Sequence, residues 1–313
     1  MTFTVIKPGL QTTIQSRPRT GVRHLGVPSS GAADPLSLAL ANRLVGNAWD
    51  APALEATLLG PTLEFEKSCA VALAGGQAEC TLNGQRINAH ETIAVKAGDR
   101  LSIGATAAGA RVYIAFAGGL SADVMLGSAS TYLTGAFGGF GGRALEAGDR
   151  PHFFQEFAEP CSTPQQFRMP MTSSWALRCC QSFEAGMLSN AGRQALFDTN
   201  WKVGRRADRI GLQLEGPALE ILSEGRMPSA GLFPGTVQCT ESGSPFVLSI
   251  DAGTVGGYPR VAQVARCDRH LLGQLRPGDH VRLLPRNAEQ ADADLGAKLD
   301  YWRAWIGDIE RVI

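Results

Sequence analysis

A chain of 313 residues with 44% apolar content is long enough for two domains, each with an ordinary core. Lys plus Arg number 29 and Asp plus Glu 29, so the formal net charge is zero, which argues against a large nucleic-acid footprint. The 37 glycines exceed the usual share of about 7% and point to turns, bulges and short strands, hence to a mainly β chain.

Thr2 to Ile6 alternates like a first strand, Pro8-Gly9 turns it, and Leu10 to Ile14 resumes. Ser16 to Gly21 is a basic loop, and His24 to Pro35 is a shaped loop rich in Gly, Pro, hydroxyls and acid. Asp34 before Pro35 starts a helix that runs to Gly46, because Asp caps and Pro suits the first turn. Asn42 on that helix is either a locally bonded amide or a site residue.

Ala53–Leu59 leads into Gly60-Pro-Thr-Leu-Glu-Phe65, and short strands are expected at Ala70–Ala74, Glu79–Leu82, Thr92–Val95, Leu101–Ile103 and Val112–Phe116, with a hairpin at Asn83-Gly84. Residues 117–150 read as glycine-rich loops across a barrel mouth. There Ser128, Ser130, Thr131, Tyr132 and Arg143 either serve a ligand or are turn and surface groups. Prolines at 151, 160, 164 and 170 place an inter-domain crossing here, giving domains 1–155 and 156–313.

Trp175–Cys180 is the next strand. Gly216-Pro-Ala-Leu-Glu-Ile221 echoes Gly60-Pro-Thr-Leu-Glu-Phe65, which supports two halves of similar build. Ser244–Arg260 is a strand that stops at Asp251 and runs into Gly253, Gly256 and Gly257, so an acid and backbone N–H groups sit at a rigid edge. Strands at Val261–Ala265 and His280–Leu284 flank a short helix at Asp268–Leu275. Asp292–Ile313 carries Leu295, Leu299, Trp302, Ile306 and Ile309 at helical spacing.

The seven cysteines include no C-x-x-C pair and read as reduced, buried hydrophobes of a cytoplasmic protein. No signal peptide and no apolar run of about 18 residues is present, so no membrane span is expected. There is no P-loop, H-E-x-x-H, Cys/His zinc cluster or G-x-S-x-G elbow, and no metal site is expected. The segments 24–34, 127–132 and 251–260 share glycine breaks and polar side chains, and are expected to converge on one cleft. Asp34, Asp251 and Arg260 are the candidate catalytic residues, with Arg43, Arg143, Arg209 and Tyr258 as weaker ligand-binding candidates. Asp34 is equally a helix cap, and Asp251 equally an anchor for its own glycine turn.

Gly26-Val-Pro-Ser-Ser-Gly-Ala-Ala-Asp34 with Ala41-Asn-Arg-Leu-Val-Gly-Asn47 resembles the N-terminal signature of the biotin-dependent carboxyltransferase-like proteins, the allophanate hydrolase subunit 2 family. Leu54-Glu55 with Gly60-Pro61, Gly127–Tyr132, Asp208–Pro217, Gly256–Arg260 and Gln274–Asp279 extend the resemblance over nearly the whole chain. Departures are Asp208-Arg-Ile-Gly for the family's Asn-Arg-Met-Gly, Gly253 for its Gln, and Ser16 and Pro18 for an acid and a glycine. Losing an acid and an amide in candidate loops bears on substrate choice.

The resemblance implies two cyclophilin-like β-barrel halves with few helices and a C-terminal helix. It implies a component like the C subunit of 5-oxoprolinase, inactive alone, which acts with a KipI-like B subunit and with the A subunit. The implied reaction is the ATP-dependent (Mg-assisted) opening of 5-oxoproline to glutamate. No tightly bound cofactor is expected in this chain. One alternative is carboxyl transfer to a urea-like substrate, with biotin carried elsewhere. Another is a KipA-like regulator that binds a KipI-like kinase inhibitor without chemistry.

Overall fold

The computed structural model describes residues 1–154, 158–222 and 227–313, and the fold is mainly β. It divides into two compact units. One comprises Met1–Arg19, Ser30–Met171 and Trp302–Val312; the other comprises Thr20–Ser29, Thr172–Tyr301 and Ile313. The expected boundary at 155/156 touches residues outside those described.

The first unit contains β1 (Phe3–Lys7), β2 (Gln11–Gln15), α1 (Pro35–Leu44), β3 (Ala53–Thr57), β4 (Thr62–Phe65), β5 (Cys69–Leu82), β6 (Gln85–Ile87), β7 (Thr92–Val95) and β8 (Arg100–Phe116). The eight strands form one sheet of order β1-β4-β8-β3-β2, with β5 on β8 and β6 and β7 on β5. It is a curled half-barrel with β1 and β2 at the ends of the order, not a closed one. Two pairs of expected short strands merge into the long β5 and β8. Gly75 (φ 104°) and register shifts between Gly75 and Cys80 make bulges that let β5 coil without ending. Asn83 and Gly84 both take positive φ between β5 and β6, the conformation of a two-residue hairpin turn.

Alternation divides the sheet's faces. Ile14, Leu54 and Ile114 join Phe3, Phe65, Phe116 and Phe153 in a buried core, where Phe3 and Phe116 stack at 4.9 Å. Thr13, Glu55 and Tyr113, each one residue off, occupy the opposite face. Residues 117–150 form no regular strand, as expected of glycine-rich loops. A Cβ on Gly139 (φ 65°) would land on Thr131 Oγ1, so the loop closes only with glycine there.

The second unit contains β9 (Ser174–Gln181), α2 (Asn190–Asp198), β10 (Trp201–Ala207), β11 (Gly211–Glu215), β12 (Ala230–Gly231), β13 (Thr236–Cys239), β14 (Pro245–Leu248), β15 (Val255–Gly256), β16 (Arg260–Val264) and β17 (His280–Arg286). Seven of these strands close a barrel, β10-β11-β14-β13-β16-β9-β17, and β12 pairs with β15 as a separate ribbon. Trp201, Leu177, Val237, Val247, Val261 and Leu283 fill the core. The Gly216-Pro217 echo does not start a strand: β11 ends at Glu215 immediately before it, whereas Gly60-Pro61 leads directly into β4. The expected helix at 268–275 is a 3-10 helix, Arg266–Gly273.

The C-terminal helix is also revised. α3 (Ala288–Arg303) begins earlier than 292, because Asn287 and Gln290 cap reciprocally: Gln290 N–H donates to Asn287 Oδ1 at 2.8 Å and Asn287 N–H to Gln290 Oε1 at 3.0 Å. The helix ends at Arg303, and α4 (Ile309–Val312) follows after a break containing Gly307. Arg178 and Arg286 both reach Asp294 on α3, at 3.1 and 2.8 Å. No helix among the described residues is long and apolar enough to cross a membrane.

Two histidines make stability depend on pH. Burial, with Arg168 adding to it, lowers His90 to about 4, and burial with Lys298 and Arg178 holds His270 well below its ordinary value. Both are therefore neutral when folded, and the unfolded chain binds more protons between about pH 6.5 and 4. The stability they contribute is complete above about pH 6.5 and is lost as pH falls towards 4. Urea denaturation across this window is expected to show that decline, and His90→Gln is expected to flatten it.

Candidate functional site

In the first unit, the polar face of the sheet carries a buried row. Thr13, Glu55 and Tyr113 are successive cross-strand partners on β2, β3 and β8. The Tyr113 hydroxyl donates to Glu55 Oε2 at 2.7 Å and accepts from the Asp34 N–H at 2.8 Å. The same Glu55 oxygen accepts from the Ala33 N–H at 2.9 Å, and Arg111 Nε lies 3.3 Å from Oε1. The Glu55, Tyr113 and Arg111 side chains are all buried. Burial, then the Glu55 and Asp34 carboxylates, pushes the Tyr113 phenol well above its ordinary range, so it remains a donor.

This row sits beneath the loop that starts α1. Asp34 is fully buried; Oδ1 accepts from the Ser37 N–H at 3.1 Å and Oδ2 from the Ser37 hydroxyl at 2.5 Å. That is helix capping, with Pro35 at the start of the helix, where its missing N–H leaves no donor to satisfy. Asn42 is a locally bonded amide, donating to the carbonyls of Trp49 and Ala51.

Segments 30–34 and 127–132 both pack on residues 14–19. Ala32 N–H donates to Ser16 O at 3.1 Å, and the Ser128 and Ser130 hydroxyls donate to Arg17 O at 2.7 and 3.1 Å. Thr131 Oγ1 donates to Ile14 O at 2.9 Å. Arg19, 1% exposed, donates from Nε to Met125 O at 3.0 Å and from Nη2 to Ser130 O, with its guanidinium over the Phe137 ring. The hydroxyls of 128–131 thus hold the loop onto β2 and its continuation. Two buried atoms here lack a hydrogen-bond partner among the described residues: Gln15 Oε1 and Ser30 Oγ, the latter on a residue at φ 49°.

Residues 24–29 and 251–260 belong to the second unit. There Asp251, 5% exposed, meets Arg209 in a two-point pair at 2.7 and 3.1 Å, and its N–H donates to Arg209 O at 2.8 Å. The pair fastens the β10–β11 turn to the end of β14. Arg260 makes a second two-point pair with Glu184, at 2.9 and 2.6 Å, and donates to Gly231 O at 2.8 Å. That pairing lowers the Glu184 carboxyl and raises the Arg260 guanidinium. Arg23 donates to Leu232 O and lies over the Phe233 ring, so the 227–236 strand and loop are held from both sides. Tyr258 is 40% exposed. The N–H groups of Gly253 and Thr254 have no hydrogen-bond partner among the described residues, so this turn presents donors.

Among the remaining candidates, Arg143 is taken up by Asp149 at 2.7 and 2.8 Å. Arg43 has no acidic partner among the described residues and lies 4.2 Å over the Trp305 ring. Sequence reasoning gave no role to Glu55, Tyr113, Arg111 or Arg19. The available signal was period-2 alternation, which puts the acid of Ala53–Thr57 and Arg111 and Tyr113 of β8 on one face.

Residues 25–285 match the family described as carboxyltransferase domain, subdomain A and B. The chain is 34% identical over 287 residues to the C subunit of 5-oxoprolinase from Escherichia coli, a match that takes in 92% of each. It is 33% identical over 304 residues to urea amidolyase of Saccharomyces cerevisiae, covering 91% of this chain and 16% of that protein. The crystal structure of the K. lactis urea amidolyase superposes with a TM-score of 0.87 at 30% identity, over 95% of this chain and 20% of that one. The chain therefore spans a fifth or less of these two urea amidolyases.

The two acids are expected to separate in stability measurements. Asp251→Ala strips a buried arginine of its carboxylate and should cost about 3–5 kcal/mol, whereas Asp34→Ala loses a cap and should cost about 0.5–2 kcal/mol. Chemical denaturation of the two variants checks the order. Equal losses would contradict these assignments.

Proposed function

The chain belongs to the family of the carboxyltransferase domain, subdomains A and B, and from that premise we propose that it is the component of an ATP-dependent 5-oxoprolinase that corresponds to the C subunit. In this reading it opens the lactam of 5-oxoproline to L-glutamate together with a KipI-like B subunit and the A subunit. The observation that carries the reading is the match to the Escherichia coli C subunit along 92% of both chains.

A lactam carbonyl is a poor electrophile. Phosphoryl transfer from ATP would activate it, and water would then complete the opening, releasing ADP and phosphate. Donors must hold the oxyanion that develops. The N–H groups of Gly253 and Thr254, unpaired among the described residues, and the exposed Tyr258 side chain suit that task. Asp251 with Arg209 and Arg260 with Glu184 keep the turn and its neighbours in place. In this role they are positioning residues and need not change protonation state.

A partner is supported by a rigid apolar knob in the first unit. Val124, Met125 and Leu126 are 69%, 46% and 39% exposed, yet their backbone is fixed by Arg19 and by Arg17 Nε donating to Gly127 O. Three consecutive exposed apolar residues on an ordered turn are costly unless something covers them. The fold likeness to the urea amidolyase structure favours a second reading, carboxyl transfer to a urea-like amide, with biotin supplied by another domain or chain.

Reconstitution with proteins like the B and A components of 5-oxoprolinase tests the proposal. ATP-dependent release of glutamate from 5-oxoproline, abolished when this chain is omitted, is the expected result. Met125→Asp is expected to weaken assembly by about tenfold or more, a loss of about 1.4 kcal/mol or greater. Inertness towards 5-oxoproline, combined with bicarbonate- and biotin-dependent consumption of urea, would replace the first reading with the second.

A further inference from the structure

A cavity of about 160 Å³ in the first unit is lined by Ala39, Arg43, Asn47, Trp49, Ile306 and Asp308, among others. It contains one charge of each sign, and the two do not meet. Arg43 and Asp308 are both exposed, and Arg43 makes no hydrogen bond or ion pair from its side chain among the described residues; its guanidinium carbon lies over the Trp305 ring, 4.2 Å from the centroid. The Asp308 carboxylate also lacks a partner among the described residues; the carbonyl of Asp308 accepts from Arg311 N–H at 2.9 Å. Some other exposed arginines do pair, as Arg303 does with Glu310 at 2.5 Å and Arg150 with Glu66 at 2.6 Å, whereas Arg86, Arg205 and Arg206 have no such partner among the described residues.

The rest of the lining is neutral. Asn47 spends its amide on Asn42 Oδ1 and Phe116 O, and its own oxygen accepts from the Gly118 N–H, so it offers the cavity nothing further. Ala39, Ala48, Trp49 and Ile306 give apolar walls, and Gly307 leaves room beside Asp308. The cation–π contact with Trp305 uses none of the guanidinium N–H donors.

We infer that this cavity binds a free α-amino acid as the zwitterion, with Arg43 taking its carboxylate and Asp308 its ammonium group. A simple anion would satisfy Arg43 but sit against Asp308, and a simple cation would do the reverse. A molecule carrying both charged groups on one carbon satisfies both at once. The volume accommodates an amino-acid head group with a short side chain. The inference does not depend on the reaction proposed above.

Titration of the intact chain with glycine, L-alanine and L-aspartate, followed by calorimetry and by the fluorescence of Trp49 and Trp305, tests it. Saturable binding with Kd near ~1 mM or below is expected, with propionate and propylamine binding at least about tenfold more weakly than L-alanine. Arg43→Met, which keeps contact with Trp305, and Asp308→Asn are each expected to raise Kd for L-alanine by about tenfold or more, while thermal melting stays near wild type. Absence of saturation by any of the three amino acids up to ~10 mM overturns the inference. So does binding that both substitutions leave unchanged, or binding of propionate or propylamine as tight as that of alanine. Asp308→Asn serves alone should Arg43→Met fail to fold.

Discussion

A carboxylate sealed inside a sheet must be answered by donors, and in the first unit Glu55 sets that requirement. It is 1% exposed and accepts from the Ala33 N–H and the Tyr113 hydroxyl, with Arg111 at its other oxygen. Leaving such a charge unanswered costs several kcal/mol, so the loop ahead of α1 cannot move away without exposing or abandoning it. Tyr113 then accepts from the Asp34 N–H, and Asp34 in turn caps α1 through Ser37. One acid on β3 therefore determines where a helix begins on the opposite side of the loop. Residues 128–131 are tied to the same sheet through β2 and its continuation.

The second unit reaches the same end with ion pairs. Arg209 with Asp251 and Arg260 with Glu184 each make two-point contacts that hold glycine-bearing turns to the barrel. Charged side chains in both units act as frame, and in the second unit the N–H groups of Gly253 and Thr254 are left without a hydrogen-bond partner among the described residues. Fixed donors of this kind need no reorganisation when charge develops, which is the condition for electrostatic stabilisation of an oxyanion.

The mainly β fold, the hairpin at Asn83-Gly84, the cap at Asp34-Pro35 and the last strand were legible because each rests on local chemistry. The merged strands β5 and β8 were not, since glycine signals a turn and a bulge alike; only pairing with a neighbouring strand decides between them. The Gly216-Pro217 motif read as a strand start by analogy with Gly60-Pro61, but the same local bend can enter a strand or leave one. At the site, Asp34 and Asp251 were visible as acids in shaped loops. Their partners were not: Ser37 lies within one helical turn, but Arg209 is 42 residues from Asp251 and Glu184 is 76 from Arg260. Glu55 stood only in the Leu54-Glu55 motif and Tyr113 only inside an expected strand, neither with a role. Their meeting depends on a register that no spacing in the sequence states.

Amide hydrogen exchange in Glu55→Gln tests the claim that this buried acid holds the loop before α1. Removing the charge while keeping the shape weakens charge-assisted bonds worth about 1.5–3 kcal/mol each, so the Ala33 and Asp34 amides are expected to exchange roughly tenfold or more faster than in the wild type. Amides of β11 and β14 in the second unit are expected to keep their rates. Unchanged exchange at Ala33 and Asp34, or equal acceleration throughout both units, would contradict the account.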